Sequence, residues 1–141
     1  MPIRRILFAT DFSEPSAHAL AYAVEIARRL GAKIRVVHVL ALHDSDVARA
    51  EEQMPATVPD ELDDVVDARD IVRSPTAELG IVREARHSSA DLIVLGTHGR
   101  TGLKHVFLGS VAERVVQLAS GPVLTVRTPD DILQDPEGGD S

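Results

Sequence analysis

The feature that most restricts how this chain can fold is the recurrence of short, near-continuous apolar runs separated by helical patterns. Residues 4–10 (RRILFAT) and 33–41 (KIRVVHVLA) are apolar, largely β-branched runs of strand length. They lack the polar alternation of a strand with one wet face, so both read as central strands covered on two sides. Between them Ala17, Leu20, Ala21, Val24, Ala27 and Leu30 recur at helical spacing, Ser13 offers an N-cap, Pro15 sits in the first turn and Gly31 stops the helix. That is a β-α-β unit. The second half repeats it: a strand over 70–73, a helix from 75 to about 86 behind a Ser74 cap, a strand over 92–95, a helix over 111–119 and a strand over 123–127. Such alternation predicts an α/β fold with a mostly parallel sheet. In the acidic stretch 42–69, Pro55 and Pro59 split two short helices, about 47–53 and 60–66.

The expected organisation is one domain over 1–127, in which 42–69 is an acidic variable segment, and an acidic, disordered tail over 128–141. With 44% apolar residues in 141, such a chain can bury roughly two-thirds of its unfolded surface and needs no staple. Cys is absent, which excludes disulfides, zinc-cysteine sites, iron-sulfur clusters and a thiol nucleophile, and fits a reducing, cytoplasmic setting. No apolar run approaches the roughly 20 residues a bilayer requires, and Asp11 interrupts the first apolar stretch before signal-peptide length, so neither membrane insertion nor export is expected. Tyr22, Phe8, Phe12 and Phe107 are the only aromatic residues, too few for a stacking platform, and nucleic-acid binding is not expected. The net charge of −7 is uneven. Residues 42–70 hold ten acids against Arg49 and Arg69, and the tail adds five more, so the rest of the chain is net positive and can welcome an anionic ligand.

After the fourth strand the chain runs GTHGRTGLKHVFLGS, from Gly96 to Ser110, and then opens a helix. Glycines let backbone N–H groups approach an anion closely, a helix start presents unpaired N–H donors at a positive dipole end, and the Ser110 hydroxyl adds a donor. Together these make a phosphate cradle, placed after a strand as ligand loops are in open parallel sheets. Simpler readings exist for each part. Ser110 to Glu113 (SVAE) matches a capping box that needs no ligand, Gly96 can be a strand-end turn, and Gly102 a loop hinge.

The combination G-x2-G-x9-G-S, realised as Gly96, Gly99, Gly109 and Ser110, resembles the nucleotide-binding signature of universal stress proteins. The resemblance covers nearly the whole chain: RRILFATDFSEPSAHAL resembles the family's first strand and turn, VVHVL its second strand, and ADLIVLGTHGRTGLKHVFLGSVAERVV with GPVLTVR its last third. It implies a Rossmann-like open five-stranded parallel sheet of order 3-2-1-4-5 with helices on both faces. It also implies a stress or regulatory protein that binds ATP, ADP or AMP. By position, Ala9, Thr10 and Asp11 would line the adenosine and Val39 would contact adenine. Gly96, His98, Gly99 and Arg100 would follow the ribose and phosphates, and Gly109, Ser110 and Val111 would close on the phosphates from the helix start. The family pattern further implies a homodimer in which strand 123–127 pairs antiparallel with its copy. An apolar edge strand needs such a cover, unless the acidic tail blunts it. Segment 42–69 departs from the family in being short and acidic where a longer helix is usual.

Other candidates carry less. His98 and His105 flank the glycine loop, but no His/Asp/Glu set has metal-ligand spacing, so no protein-only metal site is expected. Magnesium accompanying the phosphates would find Asp11 as the nearest carboxylate, although Asp11 can equally cap the helix that starts at Glu14. His38 reads as a hydrogen-bonded core residue, and the acids at 60–64 as a solvated helix face. An NAD oxidoreductase would need G-x-G-x-x-G after strand one and an acid ending strand two, but no Gly precedes Leu30 and Val39-Leu40-Ala41 stands there. The Lys-Ser/Thr pair of a P-loop is missing, and Ser74-Pro75 stands where a phospho-receiver has Asp. No general base stands out, so no catalytic residue is named and at most slow hydrolysis is expected. The competing expectation is a dimeric interaction protein in which nucleotide is structural or absent.

Overall fold

A computed structural model describes residues 2–97 and 109–128. The expectations for the tail beyond 128 and for most of the glycine loop lie outside these residues. The elements in chain order are β1 (Arg5–Ala9), α1 (Glu14–Leu30), β2 (Lys33–Ala41), α2 (Val47–Thr57), a 3-10 turn (Asp60–Leu62), β3 (Val66–Ser74), α3 (Ala77–His87), β4 (Leu92–Gly96), α4 (Ser110–Leu118) and β5 (Val123–Val126). The five strands form one parallel sheet of order β3-β2-β1-β4-β5, with Phe8 of β1 level with Val36 of β2 and Val94 of β4. This is the Rossmann-like order that the family resemblance implies.

Neighbouring residues of a strand point to opposite faces, and both faces here are apolar. Ile6, Phe8, Ile34, Val36 and Val94 pack under α1 and Met54 of α2, while Leu7, Ala9, Val37, Ile93 and Leu95 pack under Ile81 of α3 and Ala112 and Val115 of α4. Ser13 caps α1 by accepting the Ser16 N–H, and Gly31 ends it in the left-handed region at φ 69°. The buried face of α1 is narrower than the periodicity suggests. Ser16, Ala19, Ala23 and Ala27 sit against the sheet with Leu20 and Val24, whereas Ala17, Ala21 and Leu30 face outward. With small residues all round the helix, apolarity alone does not fix the contact side.

The bounds of six elements differ from the sequence expectation. β3 is nine residues long instead of four, because its ladder to β2 begins at Val66 and, past an irregularity at Asp67, runs from Ala68 to Ser74. Polar residues are tolerated there since β3 is a sheet edge. α2 runs through Pro55 to Thr57, and the second helix of the acidic segment is only a single 3-10 turn, since the chain is already extended by Val66. α3 is capped by Thr76, whose hydroxyl accepts the Leu79 N–H at 3.3 Å, and not by Ser74, which ends β3 opposite Ala41 and is buried. β5 and α4 each end one residue earlier than expected.

The acids at 60–64 are also more than a solvated face. Asp64 accepts two hydrogen bonds from Arg28 of α1, and Asp63 pairs with Arg69 at 2.8 Å. Arg69 and Arg73 on β3 both fold back onto backbone carbonyls of the loops beside α2, Arg69 donating to those of Val58 and Pro59, Arg73 to those of Ala41, Leu42 and Asp44. Among the described residues no helix is long and apolar enough to cross a membrane.

Candidate functional site

At the carboxyl ends of β1, β2 and β4 the sheet opens into a cavity of about 270 Å³, roofed by the first turns of α3 and α4. It lies where the strand order reverses between β1 and β4, the place where open parallel sheets take ligands. Eight of the residues named from the sequence line it: Ala9, Thr10 and Asp11 after β1, Val39 on β2, Gly96 ending β4, and Gly109, Ser110 and Val111 at the start of α4. His98, Gly99 and Arg100 lie outside the described residues.

The β1–α1 turn is braced from within. Thr10 donates its N–H to the Val37 carbonyl at 3.0 Å, its hydroxyl accepts the Phe12 N–H at 3.0 Å, and the same hydroxyl lies 3.1 Å from that of Ser16. Asp11 Oδ1 accepts both the backbone N–H and the hydroxyl of Ser13, so the carboxylate that faces the cavity also fixes the start of α1. Phe12 adopts φ 65°, a left-handed conformation that a bulky residue rarely takes. The Thr10 bond and a ring contact with His38, centroids 4.2 Å apart, hold it there. His38 is buried, as expected of a core histidine, and its Nδ1 lies 2.7 Å from the Thr10 carbonyl. A carbonyl only accepts, so Nδ1 carries the proton.

Gly96 has a packing reason of its own. A Cβ there would lie 3.0 Å from the carbonyl carbon and oxygen of Pro15, where β4 passes the first turn of α1. The α4 start differs from the capping-box alternative. Gly109 is the N-cap, the Glu113 N–H bonds to the Gly109 carbonyl at 3.0 Å as part of the helix, and Ser110 is the first helical residue, with its side chain exposed. The Gly109 N–H donates to Thr97, tying α4 to the end of β4. The first-turn N–H groups of α4 have no intrahelical acceptor, and with the positive dipole end they border the cavity.

The sequence did not single out the opposite wall. Ala77 and Ile81 of α3, with Val37 and Leu95 of the sheet, complete the cavity. The only signal for them is an apolar helix stripe, which looks the same whether it faces the core or a ligand. Among the described residues no group of three His, Asp or Glu is placed to hold a metal ion.

The Universal stress protein family matches residues 2–127. The universal stress protein MJ0531 of Methanocaldococcus jannaschii is 32% identical over 141 residues, an alignment covering 89% of this chain and 83% of that protein. The universal stress protein YxiE of Bacillus subtilis is 30% identical over 145 residues, covering 87% and 98%. The solved structure of MJ0577, a protein also from M. jannaschii, superposes with a TM-score of 0.82 at 26% identity, over 92% of this chain and 99% of that one. A universal stress protein from Archaeoglobus fulgidus in complex with dAMP superposes with a TM-score of 0.69 at 26% identity, over 89% and 98%. The fold superposition and the match across nearly the whole sequence agree, and this chain belongs to the universal stress protein family.

Proposed function

We propose that this chain is a nucleotide-binding stress or regulatory protein of the cytoplasm that holds ATP, ADP or AMP in the cavity above β1, β2 and β4. The observation that carries this reading is the pairing, in one cavity, of an aliphatic slot between Val39, Ala77 and Ile81 with the open N-terminus of α4. The slot suits a planar base, and the helix start suits phosphate. Asp11, the one carboxylate among the described residues lining the cavity, would meet the ribose hydroxyls or a magnesium ion accompanying the phosphates. By the family resemblance of the glycine signature, His98, Gly99 and Arg100 would follow the ribose and phosphates. The dAMP complex of the Archaeoglobus relative supports an adenine nucleotide as the ligand. Hydrolysis, where it occurs, is slow.

The same reading includes a homodimer through β5, which is an edge strand with Leu124 half-buried. On α1, at roughly 100° per residue, Arg28 and the line Tyr22–Ile26–Leu30 fall on opposite flanks of the buried face. Arg28 reaches Asp64 toward the β3 side, so the apolar line, with Tyr22 and Leu30 exposed, borders the β5 side. Val116 is exposed on α4, against the other face of the sheet. A second copy at β5 would cover these surfaces.

A melting curve of nucleotide-free protein with and without millimolar ATP and magnesium, against GTP, tests the ligand. At about 100 times its dissociation constant a ligand adds roughly 2.7 kcal/mol, which raises the midpoint by several degrees. A selective rise with ATP is the expected result. No rise would overturn the nucleotide reading in favour of an interaction protein.

A further inference from the structure

We infer that Gly80 acts through Val39 as the gauge of the base slot, a positioning residue that fixes how closely α3 approaches β2 and therefore how tightly an adenine ring is held. The inference rests on the nucleotide reading above and adds to it the residue that sets the slot's width.

Gly80 lies in the second turn of α3, inside a helix, where glycine is poorer than alanine by backbone entropy alone. Its φ is not in the left-handed region, so the backbone does not require glycine. Space does. A Cβ at Gly80 would lie 2.8 Å from Val39 Cγ1, 2.9 Å from Val39 Cγ2 and 3.1 Å from Ser74 Cβ. Both Val39 methyls face the missing atom, and β-branched Val is stiff at χ1. Turning Val39 by one rotamer still leaves a methyl against position 80, so the side chain cannot simply step aside. Ala77 and Ile81, three residues before Gly80 and one after it, line the cavity together with Val39. The backbone contact at Gly80 therefore fixes the distance between the two aliphatic walls.

A planar ring between aliphatic walls needs about 7 Å between facing carbons, twice the contact distance of roughly 3.5 Å. Relieving a 2.8 Å approach to ordinary contact moves α3 or the Val39 side chain by about 0.7 Å. A gap of that size forfeits about a quarter to a half of the dispersion contact on one ring face, and an inward swing of Val39 blocks the ring outright. Either way the base is held less well, while the N–H donors of the α4 start lie on a neighbouring helix and do not themselves touch position 80 or Val39.

The test measures affinity by calorimetry for magnesium ATP and for inorganic tripolyphosphate, which reaches only the α4 end. Wild type, Gly80→Ala, Val39→Ala and the double variant form a cycle. Gly80→Ala is expected to fold, to weaken ATP by about tenfold and to leave tripolyphosphate within twofold. In the Val39→Ala background, where both crowding methyls are gone, the same change is expected to cost less than about threefold. Equal loss in both backgrounds, equal loss for ATP and tripolyphosphate, or unchanged ATP affinity in Gly80→Ala would each overturn the gauge. Failure of wild type to bind ATP would overturn the nucleotide reading and the gauge with it, an outcome distinct from wild-type binding that Gly80→Ala leaves intact.

Discussion

Replacing Gly96 with Ala should destabilise the protein even when no nucleotide is present. The added Cβ would stand 3.0 Å from the carbonyl carbon and oxygen of Pro15 and 3.3 Å from the Ser16 nitrogen. Carbon atoms in contact prefer about 3.5–4.0 Å, so the intruding methyl is roughly half an ångström too close. All three neighbours are backbone, and the segment they belong to has little freedom. The ring of Pro15 fixes its φ, Ser13 caps the helix, and the Thr10–Ser16 and Asp11–Ser13 bonds hold the turn from the other side. Relief must come from β4 or the whole first turn of α1, and overpacking of this kind costs about 1–3 kcal/mol. For a domain near this size each kcal/mol moves the melting midpoint by about 2–4 °C, so calorimetry on the nucleotide-free protein should show a fall of about 2–12 °C. A midpoint within 1 °C of wild type would refute the packing account and leave ligand approach as the sole reason for glycine at this position.

Ser74 Oγ is buried with no hydrogen-bond partner, so Ser74→Ala should remove an unsatisfied hydroxyl and raise stability by about 1 kcal/mol, read from the urea midpoint. Asp91 accepts the backbone N–H groups of Arg4 and Arg5 at 2.9 and 3.0 Å, and these bonds hold its carboxyl below the usual aspartate range. The folded state therefore favours the charged form. Its stabilisation is complete above the unfolded pKa of about 3.9 and is lost as pH falls through the lower folded value, so Asp91→Asn should flatten the acid limb of the stability curve below pH 4. In sedimentation the wild type should run as a dimer, and Leu124→Pro, which removes a ladder donor from β5, should shift it toward monomer.

The central strands were legible because Ile6 to Phe8, Val36 to Val37 and Leu92 to Leu95 are apolar on both faces, a pattern that few other structures produce. Ser13 and Gly31 marked α1 because cap chemistry acts within a few residues. β3 was only half visible. Asp67, Arg69 and Asp70 interrupt its apolar pattern, and what makes them a strand is the ladder to β2, a partner distant in sequence. The exchange of Ser74 for Thr76 as cap has the same origin, since either hydroxyl could serve until the pairing of Ser74 with Ala41 decides where the strand stops. At the site, Asp11, Val39, Gly96 and the α4 start could be named by their resemblance to a family motif. Ala77, Gly80 and Ile81 could not. Their part follows from how near one helix lies to one strand, which no local pattern encodes.

The sheet's two borders are unlike, and that difference limits how large an assembly can grow. β5 is short and apolar, whereas the β3 border carries Asp67, Arg69, Asp70 and Arg73, with its arginines folded back onto the loops beside α2. Two copies joined along β5 would present β3 at both outer ends of a ten-stranded sheet, and charged borders discourage further strand addition. In such a pair, strand-by-strand association would stop at two copies, and the charged β3 borders would act as the stop against a fibre.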